Sequence, residues 1–191
     1  MTSRTHDIFA FASLMTAAVY FPPSILNLPT AIVSLIANIV GSLLPDIDQG
    51  SNKLWDLLPA GNFLGRIFKN FFFAHRTLSH SLLGAFLIIK AVFFVLPKLL
   101  NPNFISPQTV GNAIVIGYLS HLVLDSLTEE GLPLLFPLKI KFGFPPIASW
   151  RIKTGKWFEK LIVFPVIVAY IFWFAFKNQN PLVQILKMII K

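Results

Sequence analysis

The chain has 191 residues, 55% of them hydrophobic and 13% charged, with a mean hydropathy of +0.70. That is more apolar surface than the core of a water-soluble domain of this length absorbs, which points to helices that meet lipid. The net charge of +8 then reads as topology signal and contact with anionic lipid rather than as nucleic-acid binding, and the lack of cysteine excludes disulfides, thiolate ligands and thiol nucleophiles.

The first apolar segment, Ile8–Phe21, follows Arg4 and has the outline of a secretory signal. It is expected to stay in the protein as a helix, because further apolar segments follow it. Pro22, Pro23 and Pro29 break the chain before the second segment, Thr30–Leu44, which Pro45 ends. Residues 49–73 mix Trp55, Phe63 and Phe68 with Lys53, Arg66 and Lys69, a composition suited to the membrane interface. The third segment, Ser81–Leu96, contains Lys90, expected to snorkel or to face the bundle. Pro97, Pro102 and Pro107 separate it from the fourth, Val110–Leu127. Leu161–Phe176 and the shorter, amphipathic Leu182–Ile190 complete the series. The pattern predicts an all-α integral membrane bundle, a single domain over residues 1–191, with four to five membrane helices and a polar metal site at one membrane face.

The site follows from where the polar residues fall. If the first four segments alternate in direction, the start of the first, the end of the second, the start of the third and the end of the fourth share one face. All four histidines (His6, His75, His80 and His121) then lie there, with Asp7, Asp46, Asp48 and Asp125. The opposite connections, 22–29 and 97–108, hold no His or Asp. Imidazoles and carboxylates at the edge of a hydrocarbon slab cost several kcal/mol unless paired or bound to a cation, so a shared metal site is the economical reading. His121 and Asp125, four apart, fall on one helix face. Asp46 and Asp48 flank Ile47 after Pro45, where an extended turn would aim both carboxylates alike; a helix cap is the ordinary alternative. His75 and His80, five apart, converge only if the first precedes the helix, with Thr77 or Ser79 as its cap.

The strings Leu44-Pro-Asp-Ile-Asp48, His75-Arg-Thr-Leu-Ser-His-Ser-Leu-Leu83 and Gly117-Tyr-Leu-Ser-His-Leu-Val-Leu-Asp125, continuing to Pro137, resemble the YdjM-type inner-membrane metal-dependent hydrolases of bacteria and archaea. His6 corresponds to that family's early histidine. The family is similar in turn to zinc-dependent phospholipases C and fungal single-strand nucleases, helical phosphodiesterases. Those enzymes also use the amino group of an N-terminal Trp, where this chain has Met1. The resemblance implies a metal set drawn from His6, Asp46, Asp48, His75, His80, His121 and Asp125, with Asp48, Arg76 and His80 as catalytic candidates. Arg76 would clamp a phosphate oxygen, although an interface anchor explains it equally well. One or two divalent ions are expected; nitrogen and oxygen ligands suit zinc first, then manganese or iron.

A hydrolase site at headgroup depth implies a phospholipid or lipid-linked phosphate as substrate, and no nucleic-acid partner is expected. The alternative is a non-enzymatic membrane metal-binding, transport or regulatory protein. Transport would want ligands at the bilayer midplane, where only Asn38, Lys90 and Asn112 are polar. Intramembrane proteolysis lacks its His-Glu-x-x-His motif. Orientation follows from charge: eleven Lys and Arg fall on the site face and at most four opposite, which predicts a cell-membrane protein whose metal site faces the cytoplasm.

Overall fold

The computed structural model describes residues 1–48, 78–138 and 140–190, with only the backbone of Asp48. Six α-helices lie in these residues: α1 (Ser3–Tyr20), α2 (Leu28–Leu43), α3 (Leu82–Leu99), α4 (Pro107–Ser126), α5 (Phe164–Lys177) and α6 (Gln179–Ile190). No strand occurs among the described residues, although isolated bridges join Thr128 to Ile152 and Leu132 to Phe142. The helix starts have local causes. Asn27 caps α2 and Ser106 caps α4, each accepting a backbone N–H from three residues on, with Pro29 and Pro107 inside the first turn.

Three stretches, Leu28–Ile47, Leu82–Leu99 and Glu159–Lys177, are long and apolar enough to cross a membrane. At 1.5 Å per residue each reaches roughly the thickness of a hydrocarbon slab. Their outward faces carry large apolar side chains, among them Phe86, Phe94, Phe172 and Trp173, a surface that only lipid satisfies. Lys90 is exposed on this outside, over the Phe86 ring, as a snorkelling lysine would be. Helices α1 and α4 are comparable in length but carry the polar cluster in their site-side turns.

The centre of the bundle is the packing of α2 on α4, and glycines make it close. A Cβ on Gly41 would strike the Ile114 carbonyl, and one on Gly117 the Asn38 carbonyl. Asn38 spends its amide on the Ala113 carbonyl at 3.1 Å, which satisfies the one buried amide of this seam.

Three local expectations need correction. Residues 44–48 form a 3-10 turn rather than an extended turn: α2 ends at Leu43, just before Pro45, and the chain tightens beyond it instead of straightening. The cap of α3 is Ser81, whose Oγ accepts from Gly84 N at 3.0 Å, not Thr77 or Ser79; the capping side chain must directly precede the first helical turn. Arg151, counted above only as a topology charge, is buried and donates to the carbonyls of Pro145, Gly143 and Pro146 at 2.6, 3.1 and 2.8 Å. It knits the segment between α4 and α5. The predicted interfacial stretch 49–73 lies outside the described residues.

Candidate metal centre

Alternating helix directions deliver the polar ends to one end of the bundle. His6 stands in the second turn of α1, Asp46 in the 3-10 turn after α2, His80 just before α3, and His121 with Asp125 in the last turns of α4. Apart from Asp46, whose side chain is 25% exposed, all are buried to within 2%. Among the described residues two overlapping groups could hold an ion, His6–His121–Asp125 and Asp46–His80–His121, and His121, which offers one ligand atom, belongs to both.

The spacing separates ligation from hydrogen bonding. His80 Nε2 lies 3.5 Å from Asp46 Oδ1 and 3.7 Å from Asp125 Oδ2; His121 Nε2 lies 3.8 Å from Asp46 Oδ2 and 3.6 Å from Asp125 Oδ2. These are too long for good N–H···O bonds. Two corners of a tetrahedron are about 1.63 bond lengths apart, so metal bonds of ~2.0–2.2 Å place their ligand atoms ~3.3–3.6 Å from one another. The four separations fall on or slightly beyond that edge. On the other side of Asp125, His6 Nε2 is 3.2 Å from Oδ1, and the Met1 amine is 2.6 Å from the same oxygen. Asp125 thus presents one oxygen to each triad, the disposition of a bridging carboxylate.

Supporting contacts fix the ring orientations. His121 Nδ1 donates to the Ser42 carbonyl at 2.6 Å, which leaves Nε2 as the free lone pair turned to the carboxylates. His80 Nδ1 meets Ser79 Oγ at 3.1 Å, and Tyr118 Oη donates to the Ser79 carbonyl. The His6 ring stacks on His121 with centroids 3.7 Å apart and planes 9° from parallel. Among the described residues, neither ring nitrogen of His6 nor Nε2 of His121 has a hydrogen-bond partner, a cost that a cation would remove. Burial pushes the His80 imidazole below its ordinary range, favouring the neutral ring that ligates. The donor set therefore fits a divalent cation on both geometry and unsatisfied lone pairs.

Of the residues expected from the sequence, the structure brings together His6, Asp46, His80, His121 and Asp125. His75 and Arg76 lie outside the described residues, and Asp48 sits in the 3-10 turn with its side chain undescribed. Asp7 accepts from Ser42 Oγ at 2.9 Å, beside the cluster. Sequence reasoning passed over Glu159, a fully buried carboxylate that no motif marked, and gave no site role to the Met1 amine.

The family model for YdjM inner membrane protein matches residues 1–183. The uncharacterized protein YvsG of Bacillus subtilis is 31% identical over 176 residues, 91% of this chain and 94% of that protein. Inner membrane protein YdjM of Escherichia coli is 32% identical over 135 residues, 68% of this chain, and the Shigella flexneri protein of the same name matches equally. The alignment spans 61% of the length of those two proteins. No solved structure matches significantly.

Proposed function

Because the chain belongs to the YdjM inner membrane protein family, we propose that it is a membrane-bound metal-dependent hydrolase, a phosphoesterase acting on a phospholipid or lipid-linked phosphate. The observation that carries this reading is the pair of His/carboxylate triads sharing His121 at one end of an apolar bundle. When bound, divalent ions supply Lewis acidity toward a phosphoryl oxygen and lower the pKa of coordinated water. Zinc is the first choice for this all-nitrogen-and-oxygen set, with manganese or iron next.

The protein's own contribution is placement. Ser42 holds the His121 ring in one tautomer, Ser79 and Tyr118 hold the turn that carries His80, and the buried walls keep bulk water from competing. Asp46 is the cluster's more open side, where a headgroup would arrive. Arg76, next to His75 in sequence, is assigned to the phosphate. A cavity of about 600 Å³ between α1, α2, α4 and α6, lined by Leu14, Met15, Ile116 and Ile185, lies toward the other end of α1 and gives room for an alkyl tail. The charge bias assigns the site to the cytoplasmic leaflet. Metal transport is disfavoured, since both triads lie at one end of the bundle and not at its middle.

The test is mass spectrometry of a total lipid extract incubated with zinc-loaded protein in liposomes. Release of phosphate or a phosphorylated headgroup, abolished by a chelator, is expected. No product from any phospholipid or prenyl phosphate would refute the hydrolase reading in favour of a non-enzymatic one.

A further inference from the structure

Glu159 belongs to neither triad, yet its carboxylate is fully buried at the start of the helical stretch leading into α5. Four donors converge on it. Oε1 accepts from Thr2 N at 2.6 Å, Thr2 Oγ1 at 2.8 Å and Thr5 Oγ1 at 2.7 Å, and Oε2 accepts from Gly155 N at 2.7 Å. Three of the four come from the start of α1, more than 150 residues away in sequence.

The start of a helix is where its backbone is least held, since its first N–H groups have no partner inside the helix. Thr2 occupies the capping position of α1 but makes no capping bond with its side chain; its hydroxyl goes to Glu159 instead. His6 N in turn bonds to the Thr2 carbonyl at 3.1 Å, and Thr5 is the residue before His6. A continuous path therefore runs from Glu159 through Thr2 to His6, and from His6 Nε2 to Asp125 at 3.2 Å. Gly155, at φ +74°, ties the same carboxylate to the turn ahead of the helix. That turn is joined through Ile152 to Leu127 and Glu129, just beyond Asp125.

We propose that Glu159 is a positioning residue of the metal centre, docking the first turn of α1 so that His6 faces Asp125 and stacks on His121. It touches neither ion nor substrate and acts through His6. The proposal rests on the metal-binding part of the function above and is independent of the hydrolytic part.

Zinc affinity of the full chain in detergent, measured by competition with a chromogenic chelator, tests it. Glu159→Ala is expected to weaken binding about 10–100-fold, the range for residues that orient a ligand. Glu159→Gln keeps an acceptor oxygen for Thr2 and Thr5 but loses the one for Gly155 N, so its loss should be smaller than that of Glu159→Ala. In a His6→Ala background Glu159→Ala should add no further loss, because its effect passes through His6. Unchanged affinity in Glu159→Ala, or losses that multiply in the double variant, would overturn the role. A second arm needs no metal: carbethoxylation of apo-protein by diethyl pyrocarbonate, mapped by mass spectrometry. His6 should react at least tenfold faster in Glu159→Ala while His80 stays protected. Equal unmasking of both, or of neither, would mean Glu159 supports the bundle in general or not at all. Wild-type protein that binds no zinc would sink the function proposed above, and the labelling contrast would still support or overturn the positioning role.

Discussion

Replacing Gly117 by Ala tests whether the metal centre depends on the distance between two helices. Gly117 lies one turn before His121 on α4, and a Cβ there would strike the Asn38 carbonyl and crowd the Ser42 amide on α2. Both are backbone, so the helices must part, by roughly 1.4 Å if a contact near ~3.5 Å is to be restored. Overpacking of this kind costs about 1–3 kcal/mol, and the better helix propensity of Ala returns about 1 kcal/mol, so the fold should survive. The metal centre is less tolerant. His121 Nε2 and Asp46 Oδ2, carried by the two helices in question, are already 3.8 Å apart. Parting by that amount would take them to about 5.2 Å, well past the ~3.3–3.6 Å separation of two ligands on one ion. Zinc affinity should fall about 10–100-fold although no ligand has been changed, as for other supporting residues. Chelator competition in detergent reads this, with Gly111→Ala as control, whose Cβ meets only the Phe93 ring, a side chain that can turn aside. Wild-type affinity in Gly117→Ala, or an equal loss in Gly111→Ala, would refute the reasoning.

His121→Ala removes the ligand shared by both triads, so bound zinc measured by elemental analysis should fall further than in His6→Ala or Asp46→Ala; equal losses in the three would argue against sharing. Glu129→Ala, by contrast, should leave zinc content unchanged, as Glu129 pairs with Lys153 at 3.6 Å outside the cluster. Arg151→Ala strands three carbonyls and should lower thermal stability by about 2–4 kcal/mol, read from the unfolding midpoint. For orientation, single cysteines at Ser51 and Asn103 in this cysteine-free chain can be probed on intact cells with an impermeant thiol reagent. Labelling at 103 and not at 51 is expected; the reverse would place the site outside.

The helices and the clustering of His6, Asp46, His80, His121 and Asp125 were legible because both depend on coarse quantities: apolar segment length and alternation of direction. A slip of one or two residues at a segment end does not change which face it reaches. The parts that escaped depend on particular hydrogen bonds. Glu159 drew no reading at all and Arg151 counted only as a topology charge, since a side chain that binds backbone amides or carbonyls leaves no partner visible in sequence. The start of α1 was placed at Ile8 because polarity fell there, whereas the helix begins at Ser3, its first turn held by a residue far along the chain. The turn at residues 44–48 was misjudged because the chain was expected to extend once Pro45 had ended α2, whereas a 3-10 turn tolerates proline and follows directly.

The bonds between Thr2, Thr5 and Glu159 also set an order of events in biosynthesis. Residues 2 to 6 are made before their partners: Asp125 is 119 positions beyond His6 and Glu159 another 34 beyond that. Contacts so distant along the chain form only after the intervening segments have been made and inserted. Nascent chains stopped short of the fifth helix therefore hold His80, His121 and Asp125 but lack the anchor for His6. The centre is completed as nearly the last act of folding, and a chain truncated before Glu159 would reach the membrane with its ligands present and its first helix undocked.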